Sequence, residues 1–199
     1  MNRQNKHTKS VVNKAIKLLI VLAGIIMFIQ TGLVQAQVLH NQGAVIFVET
    51  GAQVQGDTLE NTSGTIENDG IIHLNGHYLN IGITEGNGTY NLKRDWINSG
   101  NFIPETSTVN FEGEQNQQVN TGGDFFHNFG VRNTGASVAS NRIILLSNVN
   151  IINSFNFEQG NVETGDSIIY LINQDPTALN YLSVTGSRVI GYFERGVNT

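Results

Sequence analysis

From Val149 to Phe157 the apolar side chains Val149, Ile151, Phe155 and Phe157 hold one parity, while Asn150, Ser154 and Asn156 hold the other. That is the two-residue period of a strand with one buried face. Throughout Val109 to Gly165 similar short apolar runs alternate with turns of Asn, Gly, Ser and Thr, and no run is long enough to predict a helix. Further upstream, Ala44 to Val48 forms another such run between Gly43 and Gly51. The pattern predicts an all-β chain of many short strands.

Two repeats run through this pattern. Gly64, Gly70, Gly76, Gly82 and Gly88 fall six residues apart, and Ile66, Ile72, Tyr78, Thr84 and Tyr90 each follow two residues later. Every sixth side chain stacking on the one below is the mark of a hexapeptide β-helix. The period fails after Gly88 and its small and branched positions are filled inconsistently, so irregular rungs are expected rather than a true hexapeptide helix. The looser repeat is an apolar residue followed by an amide and then Gly, at Ile66 to Gly70, Ile97 to Gly100, Val131 to Gly135 and Phe157 to Gly160. Asn bonds its own backbone in turns and tolerates the left-handed region, which Gly occupies freely. The units recur at about 25 to 35 residues, which suits rungs of three strands and three turns.

These repeats predict a right-handed parallel β-helix or solenoid, with tandem β-sandwich modules as the alternative because strands every 8 to 12 residues would suit both. Residues 37 to 60 are read as an N-terminal cap or first strands and residues 61 to 199 as the solenoid repeats. No closing element precedes Thr199, so the repeats are expected to continue in a longer protein.

Composition narrows the setting. Only 14% of the 199 residues are charged, against about 25% in average globular chains, and 39% are hydrophobic. The formal charge of −5 conceals an asymmetry: Arg3, Lys6, Lys9, Lys14 and Lys17 all precede residue 37 and no acid does. The remainder has 6 basic against 16 acidic side chains, a net of −10. An acidic body argues against nucleic acid and anionic lipid as partners. There is no cysteine, which excludes thiol chemistry, zinc–thiolate sites and disulfides. Residues 1 to 36 have the order of a secretory signal peptide: a basic stretch to Lys17, an apolar one from Leu18 to Leu33, and Val34-Gln35-Ala36 as the cleavage pattern. Cleavage after Ala36 and a secreted or cell-surface location are expected, with no membrane insertion afterwards.

From about Val109 onward the chain resembles the repeat regions of large secreted Bacteroidetes proteins exported by type IX secretion. The residues that carry the resemblance are Phe111 to Val119, Phe125 to Asn133, Gln159 to Gly165 and the Gly191-Tyr192-Phe193-Glu194-Arg195-Gly196-Val197 segment. The resemblance implies a β-solenoid, adhesive modules beyond it and a C-terminal sorting domain. Nothing in this sequence resembles the sorting domain, so the export route rests on the resemblance alone.

Candidate chemistry is sparse. His73 and His77 on one strand would lie about 13 Å apart, too far to share a metal, and no third ligand is evident. Glu67, Asp69, Glu112, Glu114, Glu163 and Asp166 lie near glycines, as calcium-binding turns require, but without a calcium-loop spacing. Polysaccharide cleavage would call on Asp95 beside Arg94, or on Glu112 with Glu114 on one strand face. Lys93-Arg94-Asp95-Trp96 reads as a solvated turn with Trp96 packed at a strand start. No catalytic, cofactor-binding or metal residue is nominated, and no cofactor is expected. The expected function is that of a structural or adhesin-like segment facing extracellular glycans or surface proteins, with a polysaccharide lyase or hydrolase as the alternative.

Overall fold

A computed structural model describes residues 37 to 182 and 186 to 197. The predicted signal peptide lies outside the described residues. The chain is all-β and winds into a solenoid of about eight coils. Among the described residues every strand pairing is parallel, which rejects the antiparallel sandwich alternative.

Three faces make up each coil. The first face stacks β2 (Gln53–Gly56), β4 (Ile71–Leu74), β7 (Thr89–Leu92) and β10 (Thr108–Phe111). It continues through the second halves of β12 (Phe125–Arg132) and β14 (Val149–Gln159) to β16 (Leu179–Tyr181). On the second face, the start of β3 (Thr58–Asn68) is followed by β5 (Tyr78–Asn80), β8 (Trp96–Asn98), β11 (Gln117–Asn120) and β13 (Arg142–Leu145). It ends in the first halves of β15 (Asn161–Leu171) and β17 (Arg188–Arg195). The third face begins with the end of β1 (Val38–Val48), the end of β3, β6 (Ile83–Glu85) and β9 (Asn101–Ile103). It is taken up again by the starts of β12 and β14.

The coils have two regimes. Ile72 pairs with Tyr90, Tyr78 with Trp96, and Thr84 with Phe102, each eighteen residues on. Eighteen is three hexads, so the six-residue glycine spacing marks real coil corners, contrary to the expectation of irregular rungs there. Later coils do lengthen irregularly: Val119 pairs with Leu145, Val131 with Phe157 and Val162 with Val189, offsets of 26, 26 and 27 residues. All these coils are shorter than the rungs of 30 residues and more that the sequence suggested for part of the chain, because the Asn-and-Gly units stand at different corners: Gly70 between third and first faces, Gly100 between second and third, Gly135 and Gly160 between first and second.

Inside the regular coils every even-numbered residue from Ile66 to Tyr78 is buried, including Gly70 and Gly76. Glycine stands at these corners for want of space. A Cβ on Gly70 would lie 2.5 Å from Ala52 O, and one on Gly88 would lie 2.5 Å from Gly70 O, so each corner sits on the backbone of the coil before it. This corrects the left-handed reading at Gly70, Gly100 and Gly135, none of which has positive φ, whereas Gly160 does (105°). The asparagine half of the motif behaves as expected: Gly70 N–H donates to Asn68 Oδ1 (3.2 Å) and Gly135 N–H to Asn133 Oδ1 (3.0 Å).

The interior holds two kinds of stack. Aromatic rings fill the middle coils, where Trp96 lies face to face with Tyr78 (centroids 3.6 Å apart) and edge-on to Tyr90, Phe102 and Phe126. As expected, Trp96 opens a strand and is fully buried. Along the corner between second and third faces runs a buried amide ladder. Asn41 Nδ2 donates to Asn61 Oδ1 (3.0 Å), Asn61 Nδ2 to Asn80 Oδ1 (2.8 Å), and Asn80 Nδ2 to Asn98 Oδ1 (2.7 Å). Asn98 Nδ2 then donates to Asp124 Oδ2 (2.8 Å) and to Thr121 O (2.9 Å). Stacked amides satisfy one another from coil to coil, which lets polar side chains occupy a dry core.

Candidate binding face

The outward side chains of the first face form columns, because parallel in-register pairing places each residue over its partner in the next coil. One column runs Gln55, His73, Asn91, Asn110, Gly130, Asn156 and Asn180. With strands about 4.8 Å apart, its six steps span about 29 Å. Within it Asn110 Nδ2 donates to Asn91 Oδ1 (2.9 Å), and Asn91 Nδ2 lies 3.2 Å from His73 Nδ1. A parallel column includes Thr89, Thr108, Asn128 and Ser154. Here Asn128 Nδ2 donates to Thr108 Oγ1 (3.2 Å) and Ser154 Oγ to Asn128 Oδ1 (2.8 Å).

Charges edge these columns where the chain leaves the face. Lys93, Glu112 and Arg132 each directly follow an inward residue, namely Leu92, Phe111 and Val131, and so stand in successive coils. Arg132 Nη2 lies 2.8 Å from Glu112 Oε1 in a partly exposed ion pair. Two hollows open along this edge. The larger, about 270 Å³, is bordered by Gln55, His73, Asn91, Lys93 and Glu112. The smaller, about 100 Å³, is bordered by Asn110, Glu112, Gly130, Arg132, Asn156 and Glu158. Glu112 belongs to both, so the hollows adjoin along one track.

The other residues singled out in the sequence are dispersed. His73 lies on this face, but His77 sits in the next corner with Nδ1 3.2 Å from Asp95 Oδ2. Asp95 also accepts from Gln118 N–H (2.8 Å), while Arg94 bonds Gln115, so the Asp95–Arg94 pair is not formed. Strand β10 ends at Phe111: Glu112 turns to Arg132 and Glu114 lies exposed in the following loop, which removes the pairing of Glu112 and Glu114 on one strand. Glu67 faces outward on the third face beside Glu85. Asp69 accepts from Asn87 N–H (3.0 Å) and Nδ2 (3.1 Å), and these bonds hold its carboxyl below the usual range. Glu163 pairs with Arg142 (2.7 Å), and Asp166 is exposed. Among the described residues no three His, Asp or Glu side chains converge as metal ligands would.

Sequence reading missed both amide columns. The signal was present: His73 and Asn91 are eighteen residues apart, as are Asn80 and Asn98, so folding the six-residue glycine period into threes would have aligned them. The fold and this face define a parallel β-solenoid with a polar track along one side. The chain matches no family model, and comparisons with curated proteins and with solved structures found no match.

Proposed function

We propose that the chain is a non-catalytic, adhesin-like solenoid segment of an exported, secreted or surface-held protein, and that its first face meets extracellular glycans or surface proteins. The observation that carries this reading is the pair of columns, rich in amides and hydroxyls, that run in parallel register from Gln55 to Asn156. A rigid, laterally repeating polar surface suits attachment along a polymer, since successive coils present donors and acceptors at a regular spacing. Export rests on the signal-peptide pattern, and the type IX route on the resemblance of the later repeats.

Polysaccharide cleavage is the second reading. It is favoured by Glu112, Arg132 and Glu158 around one hollow, since cleavage calls for a carboxylate beside a cation. One experiment separates the two. The purified protein is incubated with insoluble cell-wall and plant polysaccharides, and both protein retention and released reducing ends or unsaturated products are measured. Retention without product supports attachment. Product formation that Glu112→Gln abolishes would transfer the assignment to an enzyme.

A further inference from the structure

The track on the first face has a composition that selects among glycans. Its charged edge carries two cations, Lys93 and Arg132, and two acids, Glu112 and Glu158, so the edge is locally balanced. The body around it is acidic, with 6 basic against 16 acidic side chains after residue 36. A polyanion gains nothing from a balanced edge and is repelled by the whole. The track itself is built from amides and hydroxyls, each presenting a donor and an acceptor, which is the complement of an uncharged sugar hydroxyl.

The track also has one defined break. Gly130 occupies the amide column between Asn110 and Asn156 and is the one position there without a side chain. A Cβ at Gly130 would run into Asn110 Oδ1. The Asn110 amide therefore lies over Gly130, which is buried, and the hollow of about 100 Å³ opens beside it, with Asn110 and Asn156 as its walls and the Glu112–Arg132 ion pair on its rim. That space is well above the roughly 10 to 15 Å³ that one water needs by the same measure, and is enough for a pendant hydroxymethyl group.

We propose that this track binds an uncharged, hydroxyl-rich polysaccharide laid along the coil axis, with a pendant hydroxymethyl group seated in the hollow between Asn110 and Asn156. The assignment rests on the attachment reading above and names its ligand class and its central subsite. Neighbouring coils offer polar contacts about 4.8 Å apart, so affinity accumulates over several sugar units rather than at one.

The test is affinity electrophoresis of the protein through gels containing hydroxyethylcellulose, galactomannan or polygalacturonate. The neutral polymers are expected to retard the protein and polygalacturonate to leave it unretarded, with retardation insensitive to added salt. Asn110→Ala and Asn156→Ala should each weaken retardation about five-fold, the worth of one net hydrogen bond. Gly130→Gln should abolish it. Gln118→Ala, exposed on the second face, is the control and should change nothing. Thermal melts of each variant establish folding, and if Gly130→Gln does not fold the two alanine variants decide. The proposal is overturned by unretarded migration in both neutral polymers, by alanine variants that migrate as wild type, or by stronger retention on polygalacturonate or an immobilised peptide digest. If the variants still cling to insoluble cell wall while losing nothing in these gels, attachment stands and the subsite between Asn110 and Asn156 falls.

Discussion

At the residue scale, the buried amides of the asparagine ladder are completed by the neighbouring coils. Asn80 Oδ1 accepts from Asn61 Nδ2 and from Thr84 Oγ1 (3.2 Å), while its Nδ2 donates to Asn98. Replacing Asn80 by Ala removes the partner of Asn98 Oδ1 and of Thr84 Oγ1 in a dry interior; Asn61 Nδ2 keeps Ile83 O at 2.9 Å. The expected loss is about 2 to 4 kcal/mol in urea unfolding, against less than about 1 kcal/mol for the outward Asn91→Ala. Equal losses would show that the ladder contributes no more than a surface amide. Tyr78 and Tyr90 present the converse case, since both hydroxyls are sealed in without a hydrogen bond of good geometry. Burial is the main cause that raises both phenol pKa values above the ordinary value near 10. Their neutral forms therefore favour the fold fully below that value, and this support is lost as pH rises through the folded values. A share of the phenolate absorbance should appear only together with loss of the β circular dichroism. The double variant Tyr78→Phe with Tyr90→Phe should stay within about 1 kcal/mol of wild type at neutral pH and unfold at higher pH. An unchanged alkaline midpoint would remove these phenols from the alkaline transition.

At the scale of the element, corners rather than strands set the coil. Gly88 packs its Cα onto the backbone of the coil before, where a Cβ would meet Gly70 O at 2.5 Å and Asn68 O at 2.6 Å. Backbone cannot swing aside as a side chain can, so Gly88→Ala should cost about 1 to 3 kcal/mol in chemical unfolding. A neutral result would mean that the corners have slack. Neighbouring corners are also joined side chain to side chain: Asp69 accepts from Asn87, and Asn87 Oδ1 accepts from Thr106 Oγ1 (2.7 Å). Because these donors depress the Asp69 carboxyl, its contribution is present above the ordinary carboxyl value of 3.8 and fades as pH falls through the lower folded value. Asp69→Asn should therefore flatten the acid limb of stability against pH, and an unaltered limb would place the acid sensitivity elsewhere. The corners were legible in sequence as the run from Gly64 to Gly88, and the inward parity of Val149, Ile151, Phe155 and Phe157 was legible as a strand pattern. The length of a coil was not, because local alternation carries no information about which distant residues lie in register. The amide columns were hidden for the same reason: Asn61, Asn80 and Asn98 are ordinary turn-type residues until an offset of 18 or 19 stacks them.

For the whole molecule the consequence is a one-dimensional stability profile. Each coil touches only its neighbours, so a side chain in the middle has packing above and below while one in the outermost coils has it on one side. The hydrophobics that line the interior but remain partly exposed divide accordingly: Leu39, Ile46 and Val54 in the first coil, and Leu179, Val189 and Phe193 in the last two. Phe129 in the middle is fully buried and touches the rings of Phe111, Phe126 and Phe155. Phe193, at the edge, meets the Phe155 ring at 6.1 Å. Phe129→Ala should therefore cost about 3 to 5 kcal/mol, in the range for a fully enclosed ring, and Phe193→Ala markedly less. Hydrogen exchange should report the same gradient without mutation. Amides of β7 and β10, which pair on both sides, should open only with the whole molecule, while those of β17 exchange by local fraying. Uniform protection from β1 to β17 would mean that the coils unfold as one block, and the Phe129 and Phe193 variants would then converge in their effect on the global transition.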